Sequence, residues 1–195
     1  MKATRLIAVA VFASSALLAA PPVSAQGPFY VGGSVGQSDI DDEAAIPALI
    51  TSGTVDSKKT AFKIFGGYQF DPNFGLELSY VDLNSASYSG TFFGSPVTGG
   101  KVELWGFNFS AVGTLPVSPT FALFGKAGLF FWEAKASDIT GGIPFSATDD
   151  GVDLSIGLGM SVNLTKNVSV RAEWERFMTD VADADLLSIG IAVRF

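Results

Sequence analysis

Cysteine and histidine are both absent from the 195 residues. Without cysteine the chain forms no disulfide and has no thiol chemistry. Without histidine it lacks the general base of a Ser-His-Asp triad, the histidine ligands of zinc sites and the HExxH motif of metalloproteases. The sequence also carries no motif for haem or a nucleotide, so we expect no cofactor and no bound metal.

Carboxylates are the remaining candidates for catalysis. Glu173 and Glu175 stand two positions apart and therefore share one face of a strand, but nothing in the sequence presents a substrate to them. We therefore predict that the protein is not an enzyme and has no catalytic residue.

Charge is scarce as well. Asp, Glu, Lys and Arg make up 16% of the chain, against about 25% in soluble domains, and the formal net charge of −7 argues against a basic surface for nucleic acid. Phe and Gly are abundant, with 17 and 22 residues. No apolar stretch after Ala25 is long enough for a membrane-spanning helix, so another kind of structure must place the apolar side chains.

The first 25 residues are predicted to be a cleaved secretory signal peptide. Lys2 and Arg5 precede an apolar run over residues 6–20, and the small residues 23–25 come before the cleavage site. The alternative is a helical membrane anchor, but the run is shorter than the roughly 20 residues that such a helix needs. The mature chain, residues 26–195, is expected to form one domain.

Apolar residues recur at every second position of the mature chain. In residues 152–164 one face is apolar throughout and the other consists of Gly, Ser, Asn and Asp, as in a strand whose two faces meet different surroundings. This run is long enough to cross a bilayer as a tilted strand, which takes about 9–11 residues. Similar alternation marks eight candidate strands: 29–36, 61–70, 74–80, 105–111, 121–131, 152–164, 168–175 and 187–195.

The connections between these strands alternate in length. The short ones contain Pro, Asn, Asp or Ser, which are typical of tight turns: residues 71–73, 117–119 and 165–167. The long ones are residues 37–59, 84–100, 136–150 and 178–185. An even strand count with short turns on one side and long loops on the other predicts an all-β, eight-stranded antiparallel up-and-down transmembrane β-barrel, with both termini in the periplasm.

A soluble lipocalin-type barrel is the alternative fold, and it would place its apolar face inward and its polar face in water. The polar face here has many Gly and Ser residues and few charges, which suits a crowded lumen better than a solvated exterior. Aromatic residues also gather near strand ends, as in the girdles of membrane barrels: Phe29, Tyr30, Tyr68, Phe70, Phe74, Tyr80, Trp174, Phe177 and Phe195.

Residues 65–80 read FGGYQFDPNFGLELSY, an aromatic hairpin with a short turn and a strand with a central Glu. Residues 163–174 read NLTKNVSVRAEW, a Thr turn followed by an R-x-E-aromatic strand. Both stretches, and the closing strand 187–195, resemble the transmembrane domain of outer membrane protein A and its relatives in Gram-negative bacteria. The best-known members continue into a periplasmic peptidoglycan-binding domain. Because this sequence stops at Phe195, we expect a short, barrel-only protein of the porin-like superfamily.

The resemblance implies roles for individual residues. In the family a central Glu and an Arg form a salt bridge that blocks the lumen, and the matching positions are Glu77 and Arg171. A further family acid falls at Ser161, so we expect a reduced network. A terminal aromatic residue, here Phe195, is the feature that barrel-assembly machinery recognises. The implied partners are outer-membrane lipid and lipopolysaccharide, that machinery and periplasmic chaperones.

Few charges stand on the predicted lumen face: Lys63, Glu77, Lys126, Arg171 and Glu173, with Glu175 and Arg194 in addition. A charge in a narrow barrel costs free energy unless it is paired, so we expect ion pairs among them. The pairs could form a structural plug or gate a narrow path for ions or small solutes. A channel for small apolar molecules is a third reading, based on three aromatic residues of the same face: Phe65, Phe124 and Phe130.

The long loops supply the competing function. Acidic residues such as Asp39, Asp41 and Asp183 could bind divalent cations, but they lack EF-hand spacing, so we favour a solvated surface there. Residues 44–50 are apolar and are expected to form a short helix or a contact surface. We predict a role in envelope integrity, with adhesion or host interaction through loops 37–59 and 84–100 as the alternative.

Overall fold

The computed structural model describes residues 27–40, 54–56, 58–92, 95–140, 143–180 and 183–195. They form nine strands: β1 (Phe29–Ile40), β2 (Thr54–Asp56), β3 (Lys58–Gln69), β4 (Phe74–Phe92), β5 (Ser95–Pro116), β6 (Phe121–Thr140), β7 (Ile143–Asn163), β8 (Val168–Met178) and β9 (Ala184–Arg194). No helix in these ranges is long and apolar enough to cross a membrane. The predicted signal peptide, Asp41 and the apolar segment 44–50 lie outside the described residues.

Eight of the strands close into an antiparallel barrel. Strand β1 pairs with β3, the next strands pair in chain order from β3 to β9, and β9 pairs back with β1. The three-residue β2 pairs with β4 beyond the end of β3 and extends that wall. The predicted eight-stranded up-and-down barrel is confirmed, and within its closed part each strand has a hydrogen-bonded neighbour on both sides.

The two faces of the strands differ as the alternation predicts. In β7, Leu154 and Leu158 point outward with 61% and 65% of their surface exposed, whereas Ser155 and Gly157 between them are buried in the lumen. A soluble barrel would bury the apolar face and expose the polar one. The observed orientation therefore contradicts the lipocalin-type alternative.

Most of the predicted aromatic residues lie on the outside of the barrel. At the short-turn end the Phe29 ring meets the Tyr68 ring at 4.9 Å and the Phe195 ring at 6.4 Å between centroids. Two of the predictions are wrong, because Tyr30 points into the lumen and Phe177 is fully buried inside it. Each occupies an inward position in the alternation, so strand period outweighs the preference of aromatic rings for the membrane interface.

The three predicted tight turns are present and are held by their own side chains. The Asp71 carboxylate accepts the backbone N–H groups of Asn73 and Phe74 at 2.7 and 2.9 Å. The Thr165 hydroxyl accepts the N–H of Val168 at 3.0 Å. These contacts satisfy backbone donors where the ladder stops, which fixes the register of the adjoining strands.

The prediction of long loops at 84–100 and 136–150 is wrong over most of those residues. Strands β4 and β5 stay paired up to Phe92 and Ser95, and β6 and β7 up to Thr140 and Ile143. Beyond the membrane both faces of a strand meet water, so no apolar alternation is needed there. Hydrogen bonds between the strands still favour the paired backbone. The strands therefore continue beyond the point where the apolar alternation that predicts them ends.

Candidate functional site

Six charged side chains meet in the middle of the lumen, and we call them the ion cluster. Three are carboxylates and three are cations, and they project from β3, β4, β6 and β8. Each side chain is at most 9% exposed. The members are Lys63, Glu77, Lys126, Arg171, Glu173 and Glu175.

Lys126 and Arg171 tie the cluster together from two directions. The Lys126 ammonium lies 2.6 Å from Glu77, 2.8 Å from Glu173 and 3.5 Å from Glu175. The Arg171 guanidinium donates to Glu77 at 2.8 Å and to Glu173 at 3.2 Å. Each carboxylate therefore contacts at least one cation, as a buried charge requires.

Lys63 completes the charge balance on the far side of the cluster. It is 1% exposed and forms ion pairs with Glu173 and Glu175. With three cations and three carboxylates the cluster has no net formal charge. Removing any one partner would leave an uncompensated charge among side chains that are at most 9% exposed, which is costly.

Aromatic rings hold the Arg171 side chain in place. Its guanidinium carbon lies 4.6 Å from the centre of the Phe65 ring and 4.4 Å from that of Phe124, a favourable cation–π arrangement. The lumen has room for these rings because glycine faces them. A Cβ atom at Gly32 would overlap the Phe65 ring, and one at Gly159 would overlap the Phe124 ring.

Tyr30 belongs to the same arrangement, and sequence reasoning missed it. Its hydroxyl donates to the Glu77 carboxylate at 3.0 Å, and the Arg171 guanidinium lies 5.9 Å from its ring centre. The alternation of β1 indicates the inward position, because Tyr30 shares its strand face with Ser34. The prediction placed Tyr30 on the outside because aromatic residues are common in membrane girdles.

All five residues predicted for the lumen ion pairs are brought together, and Glu175 joins them. Ser161 lines the lumen next to Arg171 but forms none of the ion pairs, and Glu175 supplies the third acid. Arg194 lies instead at the short-turn rim, where it donates to Gln69. Phe195 donates its backbone N–H to Phe29 at 3.0 Å, which closes the last strand onto the first.

A second barrier fills the lumen towards the long-connection end, and we call it the apolar layer. At its centre the rings of Phe130 and Phe177 pack with centroids 4.5 Å apart, and both side chains are fully buried. The indole N–H of Trp132 donates to Asp153 at 2.6 Å. The layer consists of Ile40, Ala61, Val81, Leu83, Leu104, Phe130, Trp132, Ala134, Phe177, Ala184 and Leu186.

Sequence reasoning named Phe130 as inward and missed the layer as a unit. Its members come from seven strands. Each stands at an inward position, so the alternation along its own strand predicts that its side chain faces the lumen. Their contact with one another depends on strand stagger across the barrel, which no single segment encodes.

No group of three or more His, Cys, Asp or Glu side chains in the described ranges is arranged to hold a metal ion. Near the long-connection end Asp183 pairs with Arg176 at 3.1 Å. The carboxylate of Asp153 accepts the backbone N–H of Asp180 at 3.3 Å, so these acids act as structural contacts.

Comparison with known sequences gives a consistent result. Residues 6–195 match the family model described as outer membrane protein beta-barrel domain. Outer membrane protein A of Shigella flexneri is 26% identical over 199 residues, covering 97% of this chain and 55% of that protein. The same protein of Klebsiella pneumoniae is 24% identical over 180 residues, covering 86% and 51%. The chain thus spans about half the length of these relatives.

Solved structures with the same fold include three bacterial proteins. The attachment invasion locus protein Ail of Yersinia pestis superposes with a TM-score of 0.59 at 16% identity, over 87% of this chain and all of that one. Neisserial surface protein A gives 0.57 at 17%, over 87% and 98%. OprG of Pseudomonas aeruginosa gives 0.54 at 14%, over 88% and 97%. The chain belongs to the outer membrane protein beta-barrel domain family and is an outer-membrane barrel of the kind found in Gram-negative bacteria.

Proposed function

We propose that this protein is a closed, non-enzymatic barrel that contributes to the integrity of the outer membrane and passes no solutes at rest. The observation that carries the proposal is the double closure of the lumen by the ion cluster and the apolar layer. An eight-stranded barrel is just wide enough for its side chains to fill, and here they fill it at two heights.

Conduction would need both barriers to open. An ion that crosses the ion cluster must separate buried pairs such as Glu77–Arg171, which lie 2.8 Å apart. Beyond them it meets Phe130 and Phe177, which offer it no polar contact and would dehydrate it. The sequence suggests a gate at Glu77 and Arg171. Separating that pair is not sufficient for a continuous ion path through the lumen, because the apolar layer remains closed.

Single-channel recording in a planar bilayer tests this closure. We expect the wild-type protein, Arg171→Ala, and the pair Phe130→Ala with Phe177→Ala to be silent, and the combination of all three substitutions to pass current. Arg176→Ala, near the extracellular end, is the matched control and should be silent.

Discrete openings in the wild type would contradict a closed lumen. Openings in Arg171→Ala alone would show that the apolar layer is no barrier and would support the gated path. The proposal about envelope integrity is tested in cells that lack the protein. They should leak a periplasmic reporter enzyme, and both the wild type and the silent variants should restore retention.

Export and assembly are part of the same proposal. A signal peptide at residues 1–25 would deliver the chain to periplasmic chaperones and the barrel-assembly machinery, and the exposed outer face would then contact lipid and lipopolysaccharide. N-terminal sequencing of the protein from outer membranes should begin at Gln26. Deleting Phe195 should lower the amount of folded barrel if that residue is the assembly signal.

Adhesion is the second candidate, and the shape of the extracellular rim favours it. Strands β4 to β7 run on as paired hairpins to Phe92 and Thr140, whereas β1 ends at Ile40 and β8 at Met178. In the described structure residues 143–153 of β7 pair with β6 and with no strand on the other side. Such a projecting sheet is suited to contact another surface, and the fold is shared with Ail, an attachment invasion locus protein.

Shortening the hairpins separates the two candidates. Residues 86–102 and 136–147 can each be replaced by a short Gly-Ser turn, because Ser85 faces Glu103 and Lys135 faces Thr148 in register. If adhesion is the function, cells with the shortened protein should lose surface binding and keep their periplasmic reporter. If envelope integrity is the sole function, binding by cells with the full-length and shortened proteins should be equal.

A further inference from the structure

The periplasmic end of the lumen holds an open cavity of about 690 Å³, and we call it the vestibule. Its volume lies within the roughly 300–1,000 Å³ of small-molecule sites. The mouth is formed by the three tight turns, and Tyr30, Phe124 and Arg171 form the inner end beneath the ion cluster. The vestibule shares Arg171 with the ion cluster, but it lies on the open side of the cluster, so its use as a site does not depend on whether the lumen is closed.

Cations outnumber acids on the walls of the vestibule. Lys166, Arg171 and Arg194 line it together with one acidic side chain, Asp71. Because Arg171 is already paired with Glu77 and Glu173, the excess of cations rests on Lys166 and Arg194. The Asp71 carboxylate already accepts two backbone N–H groups of its own turn. The protein as a whole is acidic, with a formal net charge of −7, so the positive lining is a local feature. Low-dielectric walls concentrate the field of such a lining inside a cleft.

Arg194 is the cation of the vestibule most available to a ligand. It stands at an inward position of β9, and its guanidinium donates to the neutral amide oxygen of Gln69. The described part of the chain gives it no carboxylate partner within ion-pair distance. Arg171, in contrast, already donates two of its five N–H groups to Glu77 and Glu173.

Neutral polar groups surround these cations and could complete a binding site. They include both hydrogen-bond donors and acceptors from four strands: Gln69, Thr114, Ser161, Asn163 and Ser169. A cleft that combines a few convergent polar groups with apolar walls is typical of sites for small molecules. Guanidinium groups favour carboxylate and phosphate oxygens among possible ligands.

We propose that the vestibule binds a small multivalent anion from the periplasm, of the polycarboxylate or phosphate class. Arg194 supplies the main charged contact, Lys166 adds attraction at the mouth, and Arg171 faces the inner end of the ligand. The anion enters from the periplasm and stops at the ion cluster, so the site is a pocket with one opening and not part of a through-path.

Calorimetric titration tests the site in protein extracted from outer membranes into detergent. Citrate and inorganic phosphate are the probes, each added at constant ionic strength so that general screening does not change. We expect saturable binding with one site for each barrel. Arg194→Gln should weaken binding by roughly tenfold, as for the loss of one charge-assisted hydrogen bond.

Arg176→Gln is the matched control, since it makes the same change near the extracellular end, where Arg176 pairs with Asp183. It should bind the probes as the wild type does. Side-chain nuclear magnetic resonance gives a second readout, in which citrate should shift the guanidinium signals of Arg171 and Arg194 and leave that of Arg176 in place. Gel mobility before and after heating shows that each variant is folded.

Three results would overturn the proposal. The first is the absence of saturable heat with either probe in folded wild-type protein. The second is binding by Arg194→Gln with unchanged affinity. The third is an equal loss in Arg176→Gln, which would show that the probes respond to total charge. A loss confined to Arg194→Gln supports the site.

Discussion

The two layers that close the lumen do so by opposite physical means. The ion cluster holds six charges in direct contact, with the Lys126 ammonium within 3.5 Å of three carboxylates. The apolar layer holds two rings in tilted contact, Phe130 and Phe177, among other apolar side chains. The first depends on charge balance and geometry, and the second depends on filled volume.

This difference separates their responses to substitution. An ion pair that loses one partner leaves a buried charge, so one change affects every member of the cluster. A ring that is cut back leaves a cavity whose cost depends on how far its neighbours relax. The comparison predicts strong coupling between substitutions within the ion cluster and near-additivity between the two layers.

The largest effect is expected from Glu77→Ala. The change leaves three cations against two carboxylates, and it removes one of the carboxylates that contact Lys126 and Arg171 and the acceptor of the Tyr30 hydroxyl. We expect the free energy of unfolding in lipid vesicles to fall by about 3–5 kcal/mol, measured by urea titration with tryptophan fluorescence.

A double-mutant cycle identifies the origin of that loss. Glu77→Ala combined with Arg171→Ala restores the charge balance, so its cost should be smaller than the sum of the two single costs by about 0.5–3 kcal/mol. Additive costs would show that the pair is not coupled and would contradict the cluster as described.

Phe177→Ala should cost somewhat less, about 3 kcal/mol, because it opens a cavity in the apolar layer without unpairing a charge. The same urea titration measures it. Phe177→Leu should recover part of the loss, and combining Phe177→Ala with Glu77→Ala should give nearly the sum of both. Strong coupling between these two positions would show that the layers are one unit.

A smaller effect is expected from Gly159→Ala, because a methyl group there overlaps the Phe124 ring. Overpacking of this kind costs about 1–3 kcal/mol. Adding Phe124→Ala removes the overlap with the ring and leaves the contact with the Ala172 carbonyl oxygen, so the double variant should lose less stability than the sum of the two single losses. Equal stability of Gly159→Ala and wild type would show that the ring is not confined.

The smallest effect is expected at Arg176, whose pair with Asp183 is more than a third exposed on both sides. Solvent screens such pairs, so Arg176→Ala should change the free energy of unfolding by less than about 1 kcal/mol. A loss as large as that of Arg171→Ala would mean that burial does not set the strength of these pairs.

The sequence predicts the barrel wall well and its interior only in part. Alternation assigns Leu154 and Ser155 to opposite faces because lipid and lumen demand different residues. It places Lys63, Glu77 and Arg171 on one face for the same reason. Strand ends beyond the membrane, as at Phe92, carry no such contrast and were predicted as loops.

Interior contacts were harder to predict because they join residues that are far apart in the chain. Phe130 meets Phe177, and Tyr30 meets Glu77, across 47 positions in both pairs. The alternation along each strand assigns these residues to the inside of the barrel, but the stagger between strands determines which of their side chains are in contact. The aromatic character of Tyr30 and Phe177 also suggested the membrane interface, and the alternation was the better guide.

Cysteine accessibility tests the double closure most directly, since the natural chain has no cysteine. Ser79→Cys places a thiol between the layers, because Ser79 stands between Glu77 of the ion cluster and Val81 of the apolar layer and is 3% exposed. Ser161→Cys, the matched control, lies in the vestibule. A charged maleimide applied to the folded barrel should label Ser161→Cys readily and leave Ser79→Cys unlabelled. Labelling of both thiols at similar rates would contradict a lumen that is sealed on both sides of Ser79.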